Sequence, residues 1–257
     1  LKIFLLNIIF ISYLYHIYII FMILRKFAQD NLDKIDWENL SSNPNAIDLL
    51  ENNLDKINWN YLSSNSNAIE LLEQNIDKVE WYYLSMNTNE AAIRLFENNL
   101  DKVDWGMLSK NPNAMELLEK NLDKIDWKWL SLNPNVKAIK LLENNLDKVD
   151  WGKLSCNPNA IHILEKNIDK IDWLDLSSNK NSFKLHEQNL DKVYWDGLTA
   201  NPNCIELLEK NLDKIDWGWV MLSKNPNAIH LLEQNIDQID WNEVWQNPNI
   251  FYKENLS

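Results

Sequence analysis

The sequence predicts an all-α fold, a solenoid of about ten stacked two-helix repeats in which one helix is short and partly 3₁₀. Three observations carry that expectation. Tryptophan recurs at positions 37, 59, 81, 105, 127, 151, 173, 195, 217 and 241, with gaps of 22 or 24 residues, a period typical of stacked arrays. All seven prolines occupy a single position of the resulting unit, at 44, 112, 134, 158, 202, 226 and 248. Nothing alternates with period two over a useful length, so strands are not expected. The unit reads Leu-Asp-Lys-Ile-Asp-Trp-x-x-Leu-Ser-x-Asn-Pro-Asn-Ala-Ile-x-Leu-Leu-Glu-x-Asn. It is too small to bury its own apolar face and is stable only beside its neighbours.

The longer helix is read from residues such as 43–53. Asn43 suits an N-cap and Pro44 the first helical position. Ile47, Leu50 and Leu54 follow at helical spacing, and Ala46 and Leu49 widen the apolar stripe. Asn53 is expected to close the helix in the left-handed conformation, with Leu54 packing back on the last turn. Asn followed by Leu or Ile recurs at every such site, from Asn31 to Asn255. In the shorter helix Asp55, or the residue three further on, caps about two turns that turn Ile57, Trp59 and Leu62 inward.

Three gaps are longer by two residues. Two extensions follow the Asn-x-Asn turn, at Glu90-Ala91 and Val136-Lys137, and one follows Trp217, near Val220-Met221. Chains tolerate insertion at turns and helix ends, so these points mark such places. Residues 23–31 read as a degenerate long helix and 250–255 as a variant one, with Trp245 where Ser is usual. Both fit capping units with one face to water.

The repeat domain is placed at 22–257 and a separate apolar segment at 1–21. Residues 3–24 are long enough to span a bilayer, flanked by Lys2, Arg25 and Lys26. They fit two readings. One is a membrane anchor. The other is untranslated AT-rich sequence upstream of Met22, because residues 1–21 hold no Ala, Gly, Val or Pro.

Charge and composition exclude several functions. The formal net charge is −13, with no basic stripe to meet phosphates, so nucleic acid is not an expected partner. Cys156 and Cys204 sit at different repeat positions and read as small reduced residues, which fits an intracellular setting. His162 and His230 share a position that elsewhere holds Asp48, Arg94 and Lys140, so they are expected at the surface; His186 replaces a core Leu. The recurrent Asp-Lys pair reads as a cap with a neutralising neighbour on a solvated ridge. It lacks the carboxylates and glycine of a calcium loop. No nucleophile elbow, phosphate loop or zinc-protease motif occurs, so no enzyme activity, cofactor or metal is expected. Gly106, Gly152, Gly197 and Gly218 read as loosened helix starts.

The Asn-Pro-Asn-Ala-Ile-x-Leu-Leu-Glu and Leu-Asp-Lys-Ile-Asp-Trp segments, repeated through 31–255, resemble short Asn/Leu/Trp repeats in predicted proteins of nucleocytoplasmic giant viruses. The resemblance implies a helical repeat fold and, for a viral chain, a host-cytoplasmic location; it implies little about activity. In repeat length and helix alternation the unit is also similar to the leucine-rich repeat variant architecture.

Positions that stay constant are assigned to the scaffold: the tryptophans to a core ladder, the paired asparagines to turn hydrogen bonds within and between units. Function is sought where units differ. The two residues after each tryptophan vary freely, and Tyr61, Tyr83, Met107, Trp129 and Trp219 at the second position are large and apolar. With Tyr82 they form a candidate strip for a protein partner, centred on 61–129. The competing reading is that they cover gaps beside the core. The expected function is a non-enzymatic protein-interaction scaffold. The alternative is an assembly element packing laterally or end to end, held at a membrane if residues 3–24 are translated.

Overall fold

The computed structural model describes residues 30–215 and 218–250, together with Lys26. The segment at 1–21, the carboxy-terminal cap beyond Ile250 and Trp217 lie outside the described residues. Among those described the structure is all helical, built from tandem two-helix repeats, with no strand. No helix among them is long and apolar enough to cross a membrane. The chain divides into two compact units, one ending at Val103 and one beginning at Asp104.

Residues 53–75 show how the unit is made. Leu54–Lys56 form a 3₁₀ turn, and Ile57 and Asn58 are extended. Trp59–Ser64 form a first α-helix, here the Trp helix, and Ile69–Gln74 a second, the Leu helix. Both are short, so the expected asymmetry between a long and a short helix is slight. Of the two candidate caps, the residue three beyond the turn aspartate does the capping. Asn58, Asp104, Asp126, Asp150 and Asp172 each accept from backbone N–H groups of the following helix, which uses donors the first turn leaves over. Asp55 and its equivalents lie in the 3₁₀ turn instead.

Pro44 precedes the Leu helix by three residues rather than opening it. Asn43 Oδ1 accepts from Asn45 N–H at 2.9 Å and Asn43 O from Ala46 N–H at 3.1 Å, a side-chain-supported turn. The helix starts at Ile47. The two-residue extension at 136–137 adds to this start: Val136–Glu143 is eight residues long, with Asn135 as its cap.

The helix end differs from expectation. No described non-glycine residue has positive φ, and Asn53 sits at φ −143°, ψ 49°. Its side chain does what the left-handed turn would have done. Asn53 Nδ2 donates to Leu49 O at 2.8 Å, and Asn75, Asn121, Asn167 and Asn211 do the same to the carbonyl four residues back. A side-chain amide thus takes a carbonyl that the last turn leaves without a partner.

In each compact unit the Trp helices of successive repeats pack side by side: Trp37–Ser41 on Trp59–Ser64 and that on Trp81–Ser85 in the first, Trp105–Lys110 on Trp127–Leu130 and Trp151–Cys156 on Trp173–Leu176 in the second. The core is aliphatic. Leu62, Leu84, Leu108, Leu130, Leu154, Leu176, Leu198 and Leu222 are fully buried, as are Leu50, Leu72, Leu118, Leu142, Leu164 and Leu208 of the Leu helices. Each such side chain contributes roughly 1.5–3 kcal/mol by leaving water.

The tryptophans are not in that core. From Trp37 to Trp195 each is half-buried at its edge. A lysine from the next repeat covers the open face: Lys78 Nζ lies 5.0 Å from the Trp59 ring centroid, Lys148 4.5 Å from Trp127, Lys170 4.8 Å from Trp151 and Lys214 4.9 Å from Trp195. The constant lysine is therefore a cation–π partner across the repeat boundary, not only a neutralising neighbour of aspartate. Trp241 is 55% exposed and meets Trp245, with ring centroids 6.2 Å apart.

Candidate functional site

Two rows of constant residues hold neighbouring repeats together and set what is left over for a partner. From Asn65 to Asn247 the first Asn of each turn is buried. Asn133 Nδ2 donates to Ser109 O at 2.9 Å and Asn111 O at 3.0 Å, while its Oδ1 accepts from Asn135 N–H at 2.9 Å. Asn135 Nδ2 reaches Pro112 O at 2.7 Å. Asn157, Asn179 and Asn201 repeat the two-carbonyl contact, as Asn87 does in the first unit. This is the hydrogen bonding within and between repeats expected of the paired asparagines.

A second row was not foreseen. The serine after the core leucine is buried, donates to the carbonyl four residues back and accepts from the next repeat. Ser109 Oγ donates to Trp105 O at 2.6 Å and accepts from Asp126 N–H at 3.0 Å; Ser155 does so with Trp151 and Asp172, and Ser223 with Trp219 and Asp240. The signal was a small polar residue held constant beside variable ones, which a buried hydroxyl with two fixed partners explains.

These rows correct the register near the end. Ser223 Oγ donates to Trp219 O at 2.8 Å, and the helix runs Trp219–Lys224. Trp219 is thus the repeat's boundary tryptophan and not a variable residue of the candidate strip. The variable pair there is Val220 and Met221, both exposed. The motif Trp-x-x-Leu-Ser, which fits 219–223 and not 217–221, carried that information.

The remaining candidates differ in how free they are. In the first unit Tyr61 is 40% exposed and Tyr82 48%. Tyr83 is half-buried and meets Tyr82 edge-on, with ring centroids 5.3 Å apart. The Tyr61 hydroxyl bonds the Glu38 carboxylate of the preceding repeat, which raises its pKa above the ordinary value. In the second unit Met107 and Trp129 are half-buried. Trp129 lies against Gly106, where an added Cβ would stand 3.2 Å from the indole Cδ1, and Lys110 Nζ is 5.8 Å from its ring. Trp129 therefore covers its neighbour, as the gap-filling reading holds.

A pattern follows from Gly106 and Trp129. The first variable residue of one repeat, or the residue after its serine, meets the second variable residue of the next. Gly152 leaves room for Asp175, whose Oδ2 would lie 2.9 Å from an added Cβ; Lys224 Nζ pairs with Glu243 at 2.7 Å; Glu38 meets Tyr61. The glycines at 106 and 152 are thus small for the sake of a neighbour's side chain.

The histidines and cysteines divide into exposed and buried sites. His162 and His230 are exposed and face glutamates of the preceding repeat, Glu143 at 3.1 Å and Glu209 at 3.8 Å. His186 is fully buried in a leucine slot, 5.9 Å from the Trp173 ring, with neither ring nitrogen hydrogen-bonded. Burial pushes its pKa down to about 4, against a small opposing influence of the Leu176 backbone. Both cysteines are free; burial pushes Cys204 up to about 11 and Cys156 upward, which keeps them as poorly nucleophilic thiols. Among the described residues no group of His, Cys, Asp or Glu is arranged to hold a metal ion.

Comparison with protein-family models, curated proteins and solved structures gives no match for this chain.

Proposed function

We propose that this chain is a non-enzymatic, intracellular scaffold that binds a protein partner through Tyr61, Tyr82 and Tyr83 on the Trp helices of the first unit. The observation that carries the reading is the contrast between two classes of side chain. The constant Asn, Ser, Trp and Lys residues are engaged in joining repeats, as shown by their hydrogen bonds and ring contacts. Tyr61 and Tyr82 leave large aromatic surface in water on successive Trp helices, and such residues are the usual energetic anchors of protein interfaces. The acidic charge disfavours nucleic acid as the partner. Met107 and Trp129 belong to the supporting surface rather than to the anchor.

Affinity capture from cells that express the chain tests this, with the parent beside a Tyr61→Ser, Tyr82→Ser, Tyr83→Ser variant of unchanged helicity. Replacing even one anchor should weaken a captured partner by about 30-fold, the equivalent of about 2 kcal/mol. A partner held equally by both proteins would refute the assignment.

A further inference from the structure

One surface row combines constancy with exposure. The first residue of the turn that follows the Leu helix is Leu or Ile in every repeat. In the second compact unit these are Leu122, Leu146, Ile168, Leu190, Leu212 and Ile236. Leu122 is 52% exposed and Ile236 60%, and the others are exposed or half-exposed. Packing against the preceding helix end uses only part of each side chain. The exposed position of the Leu helix held by Glu116, Lys140, His162, Lys184, Glu206 and His230 varies in size and charge. An exposed position that accepts only Leu or Ile is under a different constraint.

The charge beside it is also particular. Each Leu or Ile is followed by Asp and then Lys, except that Gln238 ends the series. In the second unit six aspartates stand beside five lysines on this ridge, a net charge of −1. All five Asp-Lys pairs of the second unit from 123 to 214 are exposed. The lysine ends are held in place by the preceding indoles, at 4.5 Å for Lys148 and 4.9 Å for Lys214.

We infer that this Leu-Asp-Lys ridge of the second unit binds the same ridge of a second copy of this chain, in a two-fold dimer. Three features select that occupant. A surface with one acid and one base per repeat is self-complementary when turned about a two-fold axis, which sets Asp of one copy against Lys of the other. The apolar residues recur at one period on both copies, so a single register aligns the whole row. The rest of the surface is acidic and repels another copy, which leaves the near-neutral ridge as the place where two chains can approach. The tyrosine surface shares no residue with it, so either assignment can fail without the other.

The test is sedimentation of the full chain over a concentration series. One variant makes the ridge acidic (Lys124→Glu, Lys148→Glu, Lys170→Glu, Lys192→Glu), and a second makes it basic (Asp123→Lys, Asp147→Lys, Asp169→Lys, Asp191→Lys). The parent should dimerise, each variant alone should dimerise at least about tenfold more weakly, and an equimolar mixture of the two should recover the affinity. Should either charge variant lose helicity, Leu122→Ser with Leu190→Ser and Ile236→Ser replaces it and should abolish the dimer. A parent that stays monomeric throughout overturns the inference, including when the ridge holds some other protein. Dimerisation unchanged in folded variants overturns it equally.

Discussion

Replacing His186 by Leu should stabilise the chain, and by an amount that grows as the solution is made acidic. The imidazole occupies the slot that Leu164 and Leu208 fill in the flanking repeats, is fully buried, and has both nitrogens without hydrogen bonds. Leucine removes that unpaired polar group at similar volume, which is worth about 1–3 kcal/mol at neutral pH. Acid adds a second contribution. The folded-state pKa is pushed from 6.5 to about 4 by burial, so on acidification the unfolded chain takes up the proton first. The parent therefore keeps its full stability above the unfolded value, loses it as pH falls through 6.5 toward 4, and has lost on the order of 3 kcal/mol below that. Carboxylate titration is common to both proteins and cancels in their difference. Urea unfolding followed by tryptophan fluorescence, at several pH values between about 7 and about 4, measures that difference. A parent–variant gap that stays constant over this range would refute the reasoning, since it would mean that the ring is protonated as easily in the fold as out of it.

Other predictions follow from the joints between repeats. Asn133→Ala should cost about 2–4 kcal/mol in the same unfolding assay, because it strands two carbonyls and one N–H in the interior. Asn135→Ala, which removes both the contact to Pro112 O and the cap of Val136–Glu143, should cost about 1–3 kcal/mol. A double-mutant cycle of Lys148→Met with Trp127→Leu should return a coupling of about 0.5–1 kcal/mol that survives moderate salt; zero coupling would remove the cation–π assignment. Gly218→Ala should destabilise by about 1–3 kcal/mol, since the added Cβ would lie 2.5 Å from Thr199 Cγ2 in a buried place. A neutral outcome there would mean that the helix start can shift.

Much of the repeat was legible because its parts announce themselves locally. Leu62 and Leu72 fall at helical spacing, and the Asn-x-Asn turn has few other ways to satisfy its side chains. Features that depend on the neighbouring repeat were harder to read. Nothing local indicates that Lys78 lies over Trp59, or that Ser109 receives Asp126 N–H, because each partner is about one repeat away. The tryptophans were assigned to the core because they recur at one position of the repeat; the smaller leucines fill the interior and leave the indoles at its edge, where lysine can cover them. The left-handed asparagine failed as an expectation because two mechanisms compete for the same helix end, and the side-chain amide of Asn53 reaches Leu49 O without a change in the sign of φ. Trp217 and Trp219 both suit the tryptophan slot by composition, and only the serine four residues on distinguishes them. Of the candidate strip, variability between repeats picked out Tyr61 and Tyr82, which the fold leaves exposed. It could not separate them from Trp129, which varies to match Gly106.

Hydrogen exchange on the chain with and without a captured partner tests the division between joining and docking residues most directly. The account predicts added protection in Trp59–Ser64 and Trp81–Ser85, around the exposed tyrosines, and little change in Ile69–Gln74 and Ala92–Glu97. Protection confined to the Leu helices, or absent from both Trp helices, would contradict it.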